Sequence, residues 1–546
     1  MNSPTNWPIR RDPEACRRYR DLGVWRDRTI ADLAREWAAR EPDTEIFLDQ
    51  PQPVTYASLL ADAEALAVSL WDRGLRPGDV VSFQVPNWVE AAVINVAAAL
   101  LGLVINPIVH IYRGAEVKLT LADCRSRAIF IPATFRNFNY AEMLEEIRAD
   151  LPDLKSVIVV RGNGEGDAAY EDLVAAGRGR SIDWPKVDPQ SVKMIMYTSG
   201  TTGRPKGVLH DHNSIARAVA ACTEYWGIQK GDVVLMPSPV THISGYSNGL
   251  ELPFLSGTRT VLMEHWNAAE AVKLINHHRI SGTVAATPFL QELVATARAE
   301  NTRLPSIRFF ACGGAAVPPE IVRQANALFE NGRAFRVYGS TETPLITLGW
   351  VGPDVAELAA TTDGRIIDYD VLIVDDAGNP VPQGQEGEII ARGPAMFLGY
   401  ADDAQNAEAF TPDGYFRTGD IGLITPDGAV LITGRKKDLI IRGGENISAK
   451  EIEDALHLHP DVEEAAVVAM PHARLGEGIC AYIIPRVGRR PDMASITAHM
   501  ATTGLAKQKY PEHVELVDSF PRTASGKIKK DILRKMIAEK MSQKTA

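Results

Sequence analysis

The chain reads Tyr197-Thr-Ser-Gly-Thr-Thr-Gly-Arg-Pro-Lys-Gly-Val208 directly after the apolar run Met194-Ile-Met. This stretch combines three glycines, four Ser or Thr hydroxyls and two cations. Glycines let successive backbone N–H groups point towards one place, where they form an anion-binding concavity. The apolar run indicates a strand, and residues 212–225 indicate a helix soon afterwards. The pattern predicts a phosphate-binding loop at 197–208. It lacks Gly-x4-Gly-Lys-Ser/Thr, which argues against an ordinary P-loop NTPase.

The sequence around this loop alternates helical and strand-like segments. Helices are expected at 30–40, 55–73 and 88–101, and strands at 80–85 and 104–105. Alternation of this kind indicates parallel sheets covered by helices on both faces. After about residue 345, short strands separated by Asp-Gly and Pro turns indicate a smaller β-rich subdomain.

Composition narrows the class of protein. The chain has 546 residues, of which 45% are hydrophobic, so it can form several buried cores. A net charge of −11 argues against a nucleic-acid-binding surface. The five cysteines are scattered, with no Cys-x-x-Cys pair, and the N-terminus lacks the apolar core of a signal peptide. These features predict free thiols and a cytoplasmic location.

One segment is long enough to cross a bilayer. Residues 91–111 contain no Asp, Glu, Lys or Arg. The segment is nevertheless interrupted by Asn95, Gly102, Asn106 and Pro107. A buried helix followed by a short strand therefore explains it better, and we expect no integral membrane segment.

Five segments match one family in order. They are Tyr197–Val208, Tyr338-Gly-Ser-Thr-Glu342, Tyr415-Phe-Arg-Thr-Gly-Asp420, Gly434-Arg-Lys-Lys-Asp438 with Arg442-Gly-Gly-Glu-Asn446, and Pro521-Arg-Thr-Ala-Ser-Gly-Lys527. Together they closely resemble the acyl-adenylate-forming superfamily, which contains acyl-CoA synthetases, adenylation domains of peptide synthetases, and luciferases. The resemblance implies that a carboxylate and ATP form an acyl-AMP, and that a thiol then displaces AMP. ATP, Mg²⁺ and CoA are the implied cofactors.

The resemblance also implies an α/β architecture with two domains. The N-terminal domain, 1–433, would hold two doubly wound α/β subdomains plus a β-barrel subdomain. Residues 434–437 would form a hinge, and 438–546 a small mobile α+β domain. Lys437 matches the hinge position, which must absorb a large φ/ψ change when the small domain rotates between the half-reactions.

The nucleotide residues follow from the motifs. The resemblance assigns ATP and AMP binding to Thr198, Ser199, Gly200, Thr201, Thr202, Lys206, Gly313, Gly314, Ala315, Tyr338, Gly339, Ser340, Thr341, Asp420 and Arg435. The glycine loop would hold the β- and γ-phosphates, Tyr338 would stack on adenine, and Asp420 would accept hydrogen bonds from the ribose. Arg435 would reach the ribose or the α-phosphate.

Three residues are assigned a catalytic part. Lys527 would bridge the carboxylate and the ribose-side oxygen of ATP, Glu342 would hold Mg²⁺, and His242 would gate the acyl pocket. Without its motif, Glu342 would be interpreted as a helix-start carboxylate and Lys527 as a solvated lysine in a basic tail. A buried structural histidine remains the alternative for His242.

The acid and the thiol would occupy separate places. The acyl pocket is expected to be lined by Ile243, Gly245, Tyr246, Phe289 and Leu345. The segments that carry these residues contain no Arg or Lys for a second carboxylate, and no acidic match for an amino-acid ammonium group. For the thiol, Gly443 and Gly444 would leave room for pantetheine, beside Glu445.

The sequence of the segments 237–245, 309–314 and 441–448 looks most similar to bacterial short- to medium-chain acyl-CoA synthetases, with the cyclohexanecarboxylate–CoA ligase group closest. The substrate is therefore expected to be a short, medium-chain or alicyclic monocarboxylic acid, and the enzyme to belong to fatty acid metabolism. An acyl-AMP ligase that loads a separate carrier protein remains the alternative. A luciferase-type oxygenase and a non-catalytic relative are disfavoured, and a homodimer is left open.

Overall fold

The structure is a computed structural model that describes residues 7–162, 165–198, 205–314, 317–442, 445–472, 474–523 and 526–545. Its helices are α1 (Pro13–Asp21), α2 (Ile30–Arg40), α3 (Tyr56–Asp72), α4 (Glu90–Leu101), α5 (Gly114–Asp123), α6 (Tyr140–Arg148), α7 (Tyr170–Gly177), α8 (His212–Trp226), α9 (Ile243–Gly245), α10 (Leu252–Ser256), α11 (Ala268–His278), α12 (Thr287–Ala299), α13 (Pro319–Leu328), α14 (Ala356–Thr361), α15 (Asp403–Ala409), α16 (Ala449–Leu456), α17 (Met493–Met500) and α18 (Lys530–Thr545). A π-helical turn, Tyr246–Glu251, joins α9 to α10, and short 3₁₀ turns lie at Pro353–Val355, Lys436–Asp438 and Lys507–Lys509.

The first α/β layer is built on a seven-stranded sheet that is parallel except at its edge strand β2. In spatial order its strands are β16 (Arg333–Arg336), β15 (Phe309–Cys312), β14 (Gly282–Ala285), β12 (Val233–Met236), β13 (Arg259–Leu262), β1 (Glu45–Leu48) and β2 (Val54–Thr55). The strand order reverses direction between β12 and β14. Ligands bind beyond the carboxyl ends of strands at such a switch point.

The second layer is an eight-stranded sheet. Its spatial order is β21 (Gly399–Tyr400), β11 (Lys206–Asp211), β10 (Val192–Thr198), β4 (Val104–Pro107), β3 (Val80–Phe83), β5 (Ala128–Pro132), β8 (Ser156–Val160) and β9 (Ala168–Ala169). The pairs β10–β11 and β11–β21 are antiparallel, and the other pairs are parallel. The glycine loop therefore connects two antiparallel strands, and β11 separates it from the predicted helix, α8.

The segment tested for a membrane span is a buried helix and strand, as the sequence predicts. It forms α4 and β4, and the residues of α4 from Ala91 onwards are all buried. Within the described ranges, no helix is both long and apolar enough to cross a membrane. Gly102 ends α4 in the left-handed conformation, with φ of 65°, which glycine adopts without strain.

The third layer is antiparallel, with strands β19 (Asp370–Val374), β20 (Gly387–Arg392), β22 (Phe416–Ile424) and β23 (Val430–Arg435) in that order. The hairpin β17 (Thr347–Leu348) and β18 (Arg365–Ile366) extends it, because the Val430 N–H donates to the Gly364 carbonyl over 2.9 Å. A further small hairpin, β6 (Thr134–Phe135) and β7 (Phe138–Asn139), lies in the second layer's connections. The resemblance implies a barrel; among the described strands, β19 lies at one end of this sheet, and at the other end Thr347 of β17 forms an antiparallel bridge to Tyr338.

The C-terminal region has its own sheet and core. The sheet contains β25 (Glu445–Ile447), β24 (Ile440–Arg442), β27 (Gly476–Pro485) and β26 (Val462–His472), and β28 (His513–Leu516) pairs with β27 in parallel. Helices α16 and α17 pack on one apolar cluster, and α18 buries Leu533 and Ile537 in another. The basic tail is thus a helix with one buried face. This separate core fits the predicted domain division, whose boundary at 434–437 stays a prediction.

Candidate active site

A cavity of about 950 Å³ opens where the layers and the C-terminal region meet. The seven-stranded sheet contributes Ser238 and Ala285, which follow or end β12 and β14 at the switch point. Thr198, the last residue of β10, also lines the cavity, as does Lys527 of the C-terminal region. The cavity therefore lies where parallel-strand topology predicts a ligand site.

Just behind one end of the cavity lies a carboxylate held between two donors. The Tyr338 hydroxyl donates to Asp420 Oδ2 over 2.8 Å, and Arg435 Nε donates to Asp420 Oδ1 over 2.6 Å. Asp420 is 4% exposed, and its charge raises the pKa of the Arg435 guanidinium above its ordinary value. Each carboxylate oxygen can accept a further hydrogen bond, so the group can still accept from a diol.

The Tyr338–Glu342 motif is held from β11. His210 Nε2 lies 2.7 Å from the Thr341 carbonyl, and burial lowers the pKa of His210 to about 4, so the ring stays neutral. Gly339, Ser340 and Thr341 line the cavity, as do Gly313 and Gly314. A Cβ at Gly339 would meet the Leu345 nitrogen at 2.4 Å, so only glycine fits there.

Glu342 has a partner that sequence reasoning missed. The Tyr400 hydroxyl donates to Glu342 Oε1 over 2.8 Å, and Lys206 Nζ lies 4.7 Å from the centre of the same ring. Burial, with Glu342 beside it, raises the pKa of Tyr400, which keeps the hydroxyl a donor. Tyr400 lies on β21, paired with β11, and only that pairing brings it to Lys206. The local sequence Gly399-Tyr400 carries no signal of this contact.

Lys527 reaches the same cavity from a loop that precedes α18. Its backbone N–H donates to Thr523 Oγ1 over 3.0 Å. Burial, followed by the charge of Arg435, lowers the pKa of the Lys527 ammonium to about 8, against the opposing charges of Asp420 and Glu342. The structure thus brings together all three of the predicted catalytic residues, since His242 and Glu342 also line the cavity.

His242 lies on the side of the cavity predicted to hold the acid. Its Nδ1 is 3.0 Å from Ser244 Oγ. Burial lowers the pKa of His242 to about 4, with a smaller contribution from the Lys527 charge, so the ring is neutral at ordinary pH. Ile243, Phe289 and Leu345 line the cavity as predicted. Leu345 has a φ of 52°, and strain of this kind is concentrated at functional sites.

Two predicted pocket residues do not line the cavity. Tyr246 is fully buried behind it, where its hydroxyl donates to Asn95 Oδ1 over 2.6 Å. Gly245 packs against backbone, since a Cβ there would meet the Pro239 carbonyl oxygen at 2.0 Å. The assignment of both to the pocket surface is corrected, because the turn that begins at Tyr246 directs its next residues, Ser247 and Asn248, to the cavity instead.

Tyr338 and Asp420 are likewise set back from the cavity surface, while their chain neighbours Gly339 and Gly419 line it. Glu445 is exposed and accepts a hydrogen bond from Gln508 Nε2 over 3.3 Å, away from the cavity. The remaining predicted residues lie outside the described residues, namely Ser199, Gly200, Thr201, Thr202, Ala315, Gly443 and Gly444.

The predicted hinge residue, Lys437, lines the cavity too. Lys437 is anchored by its carbonyl, which accepts from Arg534 Nη1 over 3.0 Å. Burial, with Arg435 nearby, lowers the pKa of the Lys437 ammonium. On the other side, Lys436 Nζ lies 3.3 Å from Glu388 Oε2 of the large region.

No group of three or more metal-ligating side chains occurs in the part of the chain that the structure describes. Mg²⁺ usually takes one or two carboxylates together with phosphates and water, so one protein carboxylate near the phosphates is enough to hold it. Glu342 fits this donor set, because Tyr400 engages only Oε1 among its described contacts.

Comparison with known proteins agrees with this geometry. The AMP-binding enzyme family matches residues 34–401, and its C-terminal domain matches residues 451–527. The medium-chain fatty-acid–CoA ligase of Escherichia coli (strain K12) is 32% identical over 530 residues, which are 96% of this chain and 93% of that one. The 2,3-dihydroxybenzoate-AMP ligase of Bacillus subtilis (strain 168) is 31% identical over 541 residues, or 98% of each chain. An ATP-bound crystal structure of MatB from Rhodopseudomonas palustris has a TM-score of 0.82 at 27% identity, covering 93% of this chain and 98% of that one.

The chain belongs to the AMP-binding enzyme family, and its fold is that of adenylate-forming ligases. The predicted family and the predicted division into a large N-terminal and a small C-terminal domain are confirmed. The relatives include both CoA ligases and AMP ligases, so the family alone leaves the acceptor open.

Proposed function

We propose that this protein is an ATP-dependent acid–CoA ligase that converts a monocarboxylic acid, ATP and CoA into acyl-CoA, AMP and diphosphate. The observation that carries the proposal is the position of Lys527 in one cavity with Glu342, Arg435 and three of the predicted acyl residues, Ile243, Phe289 and Leu345. Phosphate-binding, ribose-binding and acyl-binding groups thus converge on a place where a carboxylate and an α-phosphate can meet.

The first half-reaction needs two anions to approach each other. The Lys527 ammonium would attract the acid's carboxylate and the ATP oxygens, and Arg435 would add positive charge at the nucleotide end. Such fixed charges stabilise the charge that develops on the phosphate in the transition state. Asp420 would hold the ribose, and holding the nucleotide in one orientation lowers the entropic part of the barrier.

Mg²⁺, when bound at Glu342, would neutralise phosphate charge. Tyr400 would keep the Glu342 carboxylate oriented for this task, and Lys206 would face the phosphates from the end of the glycine loop. The second half-reaction, attack of a thiol on the acyl-AMP, would follow rotation of the C-terminal region about Lys437. That rotation would withdraw Lys527 and bring in the segment that contains Gly443, Gly444 and Glu445.

The acid is proposed to be a short, medium-chain or alicyclic monocarboxylic acid, such as cyclohexanecarboxylate. Ile243, Phe289 and Leu345 supply apolar surface. The three acyl segments, 242–246, 287–289 and 343–345, carry no Asp, Glu, Lys or Arg to pair with a second charge on the substrate. Because a buried unpaired charge is costly, diacids and amino acids would be rejected.

The test is CoA-dependent release of AMP across acetate, butyrate, hexanoate, octanoate, palmitate, benzoate and cyclohexanecarboxylate. We expect thioester product with one or a few acids of middle size. Dicarboxylic acids of the same chain lengths should give none. Diphosphate release without any thioester product would contradict the choice of acceptor.

A second candidate is an acyl-AMP ligase that loads a separate carrier protein. It is favoured by the full-length similarity to the Bacillus subtilis 2,3-dihydroxybenzoate-AMP ligase. In that case free CoA would fail as acceptor, while pantetheine attached to a carrier protein would succeed.

A further inference from the structure

The π-helical turn Tyr246–Glu251 forms part of the cavity boundary. Its Ser247 and Asn248 line the cavity, whereas its first and last residues, Tyr246 and Glu251, lie behind it and are buried. A π turn inserts an extra residue into a helix, is rarer than an α turn, and occurs frequently at functional sites. Something in the structure must therefore hold this turn in its unusual register.

One asparagine side chain joins the two ends of the turn. The Tyr246 hydroxyl donates to Asn95 Oδ1 over 2.6 Å, and Asn95 Nδ2 donates to Glu251 Oε1 over 2.7 Å. Lys193 Nζ donates to the same Glu251 oxygen over 2.6 Å. The Asn95 amide on α4 thus fixes the distance between the first and last residues of the π turn. The ion pair between Glu251 and Lys193 holds the last residue to β10.

These four residues, which we call the buried tetrad, are almost completely removed from solvent. Lys193 and Glu251 are each 3% exposed, Asn95 is 1% exposed and Tyr246 is fully buried. A buried ion pair loses hydration and often stabilises no better than apolar residues of the same volume. Fully hydrogen-bonded buried networks do, however, select one arrangement of the elements that they join.

The tetrad also joins the two α/β layers. Lys193 and Asn95 belong to β10 and α4 of the layer with the glycine loop, and β10 ends at Thr198, on the cavity. Tyr246 and Glu251 belong to the turn that follows β12 of the other layer. The network therefore positions Ser247 and Asn248 relative to the phosphate-binding end of the same cavity.

We propose that the buried tetrad Lys193, Glu251, Asn95 and Tyr246 determines acid selectivity by holding the π turn so that Ser247 and Asn248 limit the acyl part of the cavity. This inference rests on the proposed function, because it assigns that part of the cavity to the acid. Relaxation of the π turn to an α turn would change its register and turn these two residues away from the cavity. The four residues are positioning residues and do not touch the reacting atoms.

The experiment compares Tyr246→Phe and Asn95→Leu with the unmodified protein. Acid-dependent exchange of pyrophosphate into ATP is measured over the seven acids above, because this reaction needs no thiol. We expect the ratio of kcat/KM between the largest and the smallest accepted acid to change about tenfold in Asn95→Leu, the size of effect that pocket contacts have on selectivity. Tyr246→Phe should shift the ratio in the same direction by a smaller factor.

The KM for ATP separates a selectivity role from general damage. It should stay within about twofold in both variants, since a change confined to acid binding leaves nucleotide binding alone. Tyr482→Phe is the matched control: it removes the hydroxyl of a tyrosine that is 3% exposed and donates to the Leu533 carbonyl over 3.1 Å, in the C-terminal region. It should leave the acid ratio unchanged.

An unchanged acid ratio in both variants, or an equal loss with every acid, would overturn the inference. If Asn95→Leu does not fold, Tyr246→Phe decides alone, because it keeps the ring and the ion pair in place. If the unmodified protein exchanges pyrophosphate into ATP but forms no thioester, the CoA-ligase proposal is rejected. The acid ratios of the variants still decide the proposal about the tetrad. Exchange with none of the acids would overturn both proposals.

Discussion

The large N-terminal region and the C-terminal region build their shares of the cavity in different ways. The N-terminal groups are locked in place by other side chains, as Asp420 is by Tyr338 and Arg435, and Glu342 is by Tyr400. Among the contacts of the described residues, Lys527 is held through its backbone: its N–H donates to Thr523 Oγ1, and the Thr523 N–H donates to the Lys527 carbonyl over 2.7 Å.

This difference fits a site of which one part is built in advance and the other would be delivered by the proposed rotation of the C-terminal region. Locked side chains would keep the Asp420 and Glu342 carboxylates in place during the proposed rotation. Lys527, tied by its backbone to Thr523, would move together with the C-terminal region. The contacts that flank Lys437, namely Lys436 with Glu388 and the Lys437 carbonyl with Arg534, confine a change of orientation to very few backbone bonds.

The largest effect should come from removing the delivered group. We expect Lys527→Ala to slow adenylation by about 10² or more, since a focused charge that stabilises the transition state is lost. Thioester formation from supplied acyl-AMP should suffer far less. Single-turnover assays of each half-reaction measure this, with the exposed neighbour variant Lys529→Ala as control. Equal losses in both half-reactions would contradict the comparison.

The next effect concerns the hinge. Lys437→Pro fixes φ near −65° and should therefore impair thioester formation by a larger factor than adenylation. Lys437→Ala, which removes the side chain but keeps backbone freedom, is the matched control and should retain the second step. If Lys437→Pro leaves the rates of both steps unchanged, rotation at this residue is refuted.

A smaller effect tests the locked part. Tyr400→Phe removes the hydrogen bond to Glu342, a loss of about 1 kcal/mol, or roughly fivefold in the KM for MgATP. The second half-reaction should be unaffected, because it uses no triphosphate. Tyr415→Phe, which removes a hydroxyl that donates to Asp370 over 2.5 Å, provides the control. Identical kinetics in Tyr400→Phe and the unmodified protein would show that Glu342 needs no support.

The mildest perturbation is a change of pH. The groups that act on Lys527 are Arg435 and Lys437, which lower its pKa, and Asp420 and Glu342, which raise it. Because burial brings the pKa of Lys527 to about 8, the charged form is complete below that pH and is lost above it. The kcat/KM for adenylation should fall to about half at pH 8 and decline further at higher pH.

Lys527→Arg tests the origin of that decline. A guanidinium stays protonated throughout this range, so the variant should have a lower but flat alkaline profile. A decline that persists unchanged in Lys527→Arg would assign the titration to another group. His242, whose pKa of about 4 lies far below this window, should make no contribution.

Much of the fold could be predicted from the sequence, since periodicity and motif order are local properties. The helices α2, α4 and α8 and the strand β10 lie close to where their apolar patterns predict them. Strand β11 was missed because its residues, Lys206 to Asp211, directly follow the loop and become a strand only by pairing with β10 and β21.

The site divides in the same way. Motifs predicted roles for Lys527, Glu342, Asp420 and Arg435 from residue type and order alone, and these roles stay predictions. They misplaced Tyr246, whose bulk indicated a pocket surface, because the direction of a side chain in a π turn depends on hydrogen bonds to α4. They also carried no sign of Tyr400, which reaches Glu342 only through strand pairing.

By itself, the sequence determined the family, the order of the layers and the residue types at the nucleotide end of the cavity. Only the tertiary structure decided which side chains line the cavity, which residues support them from behind, and that Lys527 lines this cavity. The physical reason is that patterns record what each segment can form, whereas distances between residues far apart in the chain arise only when the segments pack together.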